Sequence, residues 1–331
     1  MTDAAADRAG DAPLPALVVG GYLGAGKTTL VNRLLRGAGG RRIAVLVNDF
    51  GEIAIDADLI ESRDGDVLEL AGGCVCCSVG SDLVGALMAL PGRSPRPDLV
   101  LIETSGVGLP AAVARSARLA RGIEVEGIVV LADAETVRAR AADRWVGDVV
   151  LAQLRDADLL VLNKVDLVAP GALAGLHGWL GELAPGVPVV DAVEADLPPD
   201  LLLGPPEASP ARPARLARRD APPPGPTSPR DGRLRPPPAA AERFETATLE
   251  LRGPVALDAL VRALADPAAG VLRAKGWVRD ADGVERLVQA VGARVRTTPG
   301  AAPRGAASGR LVVVARRGTL DAAALARAIA G

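Results

Sequence analysis

Histidine occurs once in the 331 residues, and lysine and cysteine three times each. Aromatic residues make up 2% of the chain, so its core has to be built from aliphatic side chains. No apolar run approaches the ~18 residues that suggest a membrane helix, which argues against a membrane partner. The opening MTDAAADRAGDAPLP has neither the basic start nor the apolar stretch of a secretory signal. It reads as a disordered tail over 1–14, and the expected location is the cytoplasm. A surplus of one charge is missing as well: 38 basic residues against 40 acidic ones leave a net charge of -2. Nucleic-acid binding needs a concentrated basic face, and this balance speaks against it. The lone His177 lies in an expected helix and reads as a surface or packing residue rather than a ligand.

What remains is informative because so much has drifted towards Arg, Ala, Gly and Pro. Of the 38 basic residues 35 are Arg, so the lysines Lys27, Lys164 and Lys275 mark places where a slim point charge is wanted. Each falls inside a motif. The cysteines all lie within GGCVCCS, as Cys74, Cys76 and Cys77. An odd, tight cluster of this kind points to metal or thiol chemistry rather than a disulfide framework.

From residue 16 to about 200, short apolar, β-branched runs alternate with amphipathic stretches. Expected strands are Leu17–Val19, Ile43–Val47, Val67–Leu70, Leu99–Ile102, Ile128–Leu131, Leu159–Leu162 and Val187–Val190, with helices near 27–36, 80–90, 110–119, 147–155 and 170–183. Continuous apolar strands imply burial on both faces of a mainly parallel sheet, which gives an α/β fold with helices on both faces. Residues 204–241 hold twelve Pro, and seven Arg against three acids, which reads as a mobile linker. Beyond it, an alternating strand at 244–251, a helix at 255–265, strands near 270–279, 284–290 and 310–315 and a helix at 320–330 make a small α+β domain. The expected division is 1–14 tail, 15–203 nucleotide domain, 204–241 linker and 242–331 C-terminal domain.

Gly21-Tyr22-Leu23-Gly24-Ala25-Gly26-Lys27-Thr28 matches G-x-x-x-x-G-K-[ST] between a strand and a helix, the setting of a phosphate-binding P-loop. Its backbone N–H groups and the helix start favour phosphate, Lys27 suits the β- and γ-phosphates, and the Thr28 hydroxyl suits Mg²⁺. Leu101-Ile102-Glu103-Thr104-Ser105-Gly106 closes a buried strand with an acid fit for the Mg²⁺ site, and the Gly106 amide can sense the γ-phosphate. In Asn163-Lys164-Val165-Asp166, the Asp166 carboxylate can accept from N1–H and the 2-amino group of guanine, whereas adenine would leave polar groups unpaired. Asn163 either contacts the base edge or ties the loop to the P-loop, and the Lys164 stem covers the base. Three thiols at C-x-C-C spacing can converge on one soft cation, with a carboxylate or water as fourth ligand.

GGYLGAGKTT, NDFGEIAID, GGCVCC, LIETSG, LNKVDL and the later VLRAKGWV and LVQAVG together resemble the CobW family of GTP-dependent metallochaperones. The resemblance implies a P-loop GTPase domain, a smaller CobW C-terminal domain, and slow GTP hydrolysis coupled to delivery of zinc or cobalt to a metal-dependent client protein. By position it assigns phosphate binding to Gly21, Gly24, Ala25, Gly26, Lys27, Thr28 and Thr29, and Mg²⁺ binding to Thr28 and Glu103. It assigns guanine reading to Asn163, Lys164 and Asp166, and the transition metal to Cys74, Cys76 and Cys77. Asp49 and Glu52 fall in its switch segment, as a water-positioning residue and an auxiliary metal residue. Asp49 stands where the family usually has Glu, and the His-rich stretch of many members is missing. One metal per chain or one shared across a homodimer, a structural zinc in a GTP-gated regulator, and service to nitrile hydratase or the cobalamin pathway all remain open. Lys275, in Arg273-Ala274-Lys275-Gly276-Trp277, is expected either at a solvated strand edge or on a client-docking or interdomain surface.

Overall fold

The computed structural model describes residues 13–48, 67–69, 79–204, 243–292, 294–300 and 308–330. The first part of the chain runs β1 (Leu14–Gly21), α1 (Lys27–Arg36), β2 (Ile43–Asn48), β3 (Val67–Glu69), α2 (Val79–Ala89), β4 (Leu99–Thr104) and α3 (Pro110–Ala117). It continues through β5 (Ile123–Asp133), α4 (Val137–Ala141), α5 (Gly147–Arg155), β6 (Leu159–Asn163), α6 (Pro170–Leu183), β7 (Val189–Ala192) and α7 (Pro199–Leu203). The strands form one sheet in the order β3-β2-β4-β1-β5-β6-β7, parallel at every pairing. Residues of β4 and β6 are buried throughout, as strands covered on both faces must be. Successive side chains of β1 alternate between two cores: Ala16 and Val18 face the layer of α2, α3, α5 and α6, while Leu17 and Val19 face the opposite layer.

That second layer contains α1 and α7 but also Phe244, Leu272, Val291 and Val314 of the C-terminal domain. This domain comprises β8 (Phe244–Glu250), α8 (Leu257–Ala265), β9 (Val271–Arg279), β10 (Glu285–Val291), β11 (Arg294–Pro299), β12 (Arg310–Arg316) and α9 (Ala322–Ala330). Its strands form an antiparallel sheet ordered β11-β10-β9-β12-β8. The helices α8 and α9 cover one face through Leu260, Leu264, Leu325 and Ile329.

Three elements were not expected from sequence. The Arg-rich β11 has little apolar pattern; its ladder with β10 and the acids of the first domain hold it, with Arg294 3.2 Å from Asp158 and Thr298 donating to Glu124 at 2.9 Å. Short α4 and α7 carry too few turns for a periodic signal. β5 also begins five residues before the expected strand, and that extension makes the domain seam.

Within the extension, the β1–β5 register jumps between Ala16↔Val125 and Leu17↔Gly127, leaving Glu126 as the bulged residue. A bulge re-aims a side chain, and Glu126 points into the other domain. It is 2% exposed and bonded by Arg273 and Gln289, with Lys275 Nζ 3.7 Å from its Oε1. Arg273 is itself fully buried. Close approach at the seam also demands glycine at 292: it has φ 54°, and a Cβ there would lie 1.7 Å from the Asp158 carbonyl oxygen. Lys275 therefore does not sit on a solvated edge. β9 is flanked by β10 and β12, and its lysine faces the first domain.

Burial alone would push the Glu126 carboxyl up, but the charges and hydrogen bonds of Arg273 and Lys275 hold it below the ordinary carboxylate range. Removing one partner of a buried pair strands the other charge and costs about 3–5 kcal/mol. Glu126→Gln is therefore expected to lower stability to urea by about that amount near neutral pH. With the folded pKa depressed, the contribution is present above the unfolded value and is lost as pH falls through the folded one. The stability gap between wild type and variant should thus narrow only below the ordinary carboxylate range. A gap unchanged into strong acid would show that this charge does not hold the seam.

Candidate functional site

Chain order reverses across β1, which lies between β4 and β5, and ligands of open parallel sheets gather at the carboxyl ends of strands at such a point. The loop from Gly21 to Gly26 leaves β1 there and enters α1. Gly26 occupies the position before α1 with φ 102°, a left-handed conformation suited to glycine, and makes no side-chain cap. The first-turn N–H groups of α1 thus lack an intrahelical acceptor, and with the helix dipole they make an anion site. Lys27 is buried in this turn at 6% exposure, while Thr29 faces solvent. Thr28 Oγ1 donates to Glu103 Oε1 at 2.9 Å, joining the P-loop to the end of β4. Glu103 is 1% exposed, and the neighbouring buried Thr104 hydroxyl has no hydrogen-bond partner among the described residues. A hydroxyl and a carboxylate held at this spacing can act together on one hard cation.

The guanine-type loop closes the other side. Asn163, 1% exposed at the end of β6, donates through Nδ2 to Ala25 O at 2.9 Å and accepts from Ala195 N at 2.8 Å through Oδ1. One amide thereby ties the P-loop, the 163–166 loop and the 193–196 loop together. A Cβ on Gly26 would sit 2.5 Å from that same Nδ2, so the contact requires glycine. The tie to the P-loop expected for Asn163 is present. Lys164 adopts φ 62°, left-handed and uncommon for a non-glycine residue. Its Nζ is anchored to Asp133 Oδ2 at 2.7 Å, at the end of β5. Asp166 follows in a 3-10 turn over Val165–Leu167 with its side chain exposed. Glu194 and Ala195 are also left-handed, at φ 49° and 55°. Arg33 of α1 secures that loop, donating to Glu194 O at 2.7 Å and meeting Asp196 at 3.3 Å.

The structure brings together Gly21, Gly24, Ala25, Gly26, Lys27, Thr28, Glu103, Gly106, Asn163, Lys164 and Asp166 around one end of the sheet. Asp49, Glu52, Cys74, Cys76 and Cys77 lie outside the described residues. His177 Nε2 meets Asp191 Oδ1 at 2.8 Å, a local pair on α6 and β7. Sequence reasoning missed Asp133 and the 193–196 loop. Asp133 could have been suspected as an acid closing a buried strand, as Glu103 was. The Glu194-Ala195 turn carries no glycine to signal positive φ, so nothing in its composition announces it.

Asn163→Ala should leave the Ala25 carbonyl and the Ala195 amide unpaired, at a cost of about 1–3 kcal/mol each in a buried setting. The expected readout is a loss of nucleotide affinity of about tenfold or more by titration, with the secondary structure retained in circular dichroism. Wild-type affinity in the variant would show that the three loops do not depend on this amide.

Residues 15–191 match the nucleotide-binding domain of the CobW/HypB/UreG family, and residues 244–331 match the cobalamin synthesis protein CobW C-terminal domain. Among curated relatives, a protein named zinc chaperone CobW from Pseudomonas aeruginosa is 35% identical over 225 residues, covering 58% of this chain and 60% of the relative. The zinc chaperone CobW of a Sinorhizobium species is 31% identical over 226 residues, covering 60% and 64%. The matched parts thus span about three-fifths of the length of these relatives. The Zn(II)-bound YjiA GTPase of Escherichia coli aligns over 96% of this chain and 98% of its own, at 20% identity and a TM-score of 0.43. With its first domain matched over more than half of the chain and its second domain matched in turn, the protein belongs to the CobW/HypB/UreG family.

Proposed function

We propose that the protein binds and hydrolyses GTP and uses the nucleotide cycle to deliver a transition metal, zinc foremost and cobalt as the alternative, to a metal-dependent client protein. The observation that carries the nucleotide part is the Asn163 joint, which sets the 163–166 loop directly against the P-loop. In this reading the backbone of Gly21 to Thr29 cradles the phosphates, with Lys27 beside them. Glu103 and Thr28 hold Mg²⁺, Gly106 faces the γ-phosphate, and the exposed Asp166 accepts from guanine. The residues fit that ligand: an uncapped helix start suits phosphate, and the half-buried Thr28 hydroxyl with the buried Glu103 carboxylate offers oxygen donors to a hard cation. Mg²⁺, when bound, neutralises charge developing on the transferred phosphoryl group. Lys164, pinned to Asp133, keeps its stem in one place for the base plane.

The metal part rests on the Cys74-Val75-Cys76-Cys77 cluster and on the zinc-chaperone names of the relatives. Thiolates suit Zn²⁺ and Co²⁺ alike, with zinc favoured on affinity. The cluster falls in sequence between Asp49 and Glu103, which places it between two segments assigned to the γ-phosphate site. Delivery requires metal affinity to differ between nucleotide states, since a cycle without differential affinity drives no transfer.

With Mg²⁺ present, purified protein should turn over GTP and prefer it strongly to ATP, and Asp166→Ala should erase the preference. Equal turnover of both nucleotides by the wild type would sink the guanine assignment. Zinc titrated against a competing chelator should bind with affinities differing by about tenfold between GTP-analogue and GDP forms, or ~1.4 kcal/mol. Replacing all three cysteines by serine should abolish zinc binding and leave nucleotide binding intact. Indistinguishable zinc affinities would remove delivery and leave a GTPase with a structural metal.

A further inference from the structure

Gln153, on α5, is a buried amide outside every motif described above, at 1% exposure. Its Nε2 donates to Gly106 O at 3.0 Å and to Gly108 O at 2.8 Å. Both hydrogens of one amide nitrogen are therefore spent on two carbonyls of the loop that follows Glu103. Within the loop, Gly108 N donates to Ser105 O at 3.0 Å and Val107 N makes a long contact with Ser105 Oγ at 3.4 Å, while Leu109 O accepts from the first turn of α3. A second tie comes from the end of the same helix. Asp156 Oδ2 accepts from Ala111 N at 3.0 Å in the first turn of α3. Residues 106–111 are thus fastened at both ends to α5 and the residue that caps it.

The fastening has a direction. A Cβ on Gly106 would lie 2.3 Å from Leu23 Cδ2 and 3.0 Å from Leu23 N, so the loop presses its glycine against the P-loop. In a planar trans peptide the N–H points opposite the C=O. With the Gly106 and Gly108 carbonyls turned towards Gln153, the Val107 and Leu109 amides are turned away from it.

We propose that Gln153 is a positioning residue for nucleotide hydrolysis: it sets Gly106 against the P-loop and ties the γ-phosphate-facing loop to α5. The proposal rests on the GTPase reading given above. Only a neutral side-chain amide supplies two hydrogens from one uncharged nitrogen, so the site demands Gln rather than Glu or Met of similar length. GDP lacks the γ-phosphate, so its binding depends on the P-loop and guanine loop and not on this clamp.

Three proteins decide the matter: wild type, Q153M, which keeps the length without donors, and Q153E, which keeps the shape. Q153M should bind GDP within about twofold of wild type, and its kcat should fall about tenfold or more, the scale of a small misplacement at a reacting centre. Its preference for a GTP analogue over GDP should fall with it. For Q153E, burial beside two carbonyl oxygens raises the pKa of the introduced carboxyl. Its activity relative to wild type should accordingly rise as pH falls and the protonated form donates one bond. Hydrogen exchange over 104–110 in nucleotide-free protein should be about tenfold faster in both variants at neutral pH. Wild-type kcat and nucleotide preference in Q153M, or a flat relative pH profile in Q153E, would overturn the positioning role. If the wild type itself fails to bind GDP, the GTPase reading falls, and unchanged exchange at 104–110 would separately overturn the clamp.

Discussion

Among the described residues, a carboxylate buried in β5 of the first domain finds its counter-charges in the second. Glu126 is bonded by Arg273 and Gln289, and the nearby ammonium is that of Lys275. Desolvating an ion costs several kcal/mol unless it is paired, so this arrangement favours docked domains over separated ones. The same strand ends at Asp133, which holds Lys164 in the guanine-type loop. β5 thus runs from a charge satisfied by the C-terminal domain to a charge that orders the nucleotide end. A rearrangement at either end would have to be absorbed along an eleven-residue strand paired on both sides.

At the nucleotide end, the architecture brings loops from β1, β4, β6 and β7 to one edge of a parallel sheet. Few side chains lock them. Asn163 joins three loops, the Thr28–Glu103 contact joins two, and Arg33 reaches from α1 to the loop after β7. The cores beneath are built almost wholly from aliphatic side chains and take in Ala25, Val165 and Ala195 of these loops, so the polar ties add direction to loops that the packing already holds. Left-handed backbone at Lys164, Glu194 and Ala195 is strain of about 1–3 kcal/mol per residue, and in each case a polar contact stands beside it.

The scarcity of lysine acquires a physical meaning here. Lys164 and Lys275 each place a compact ammonium against one carboxylate, Asp133 and Glu126 respectively, the first half-buried and the second at the domain seam. Lys27 is buried at the mouth of α1. A planar guanidinium would need room for its fork and partners for its additional donors. Where the fork does fit, as at Arg273, two of its nitrogens remain without a hydrogen-bond partner among the described residues.

The layered α/β order, the small α+β second domain and the P-loop were legible in the sequence because each is a local signal. Continuous β-branched runs mean burial on both faces, and a Gly-rich strand–helix turn has few other uses. The same holds for Glu103 and the 163–166 motif, whose roles are suggested by residue type and position along the chain. What the tertiary structure alone decided is which distant groups meet. Glu126 and Arg273 are separated by 147 positions, Asn163 and Ala25 by 138, and Gln153 and Gly106 by 47. No periodicity encodes such pairs, since a Glu within IEVEGIVV or a Gln within LAQLR looks like any solvated polar residue until a second segment arrives. Their identity as buried, bonded groups follows from the low dielectric created by the packing itself, which exists only once the sheet, its helices and the second domain have assembled.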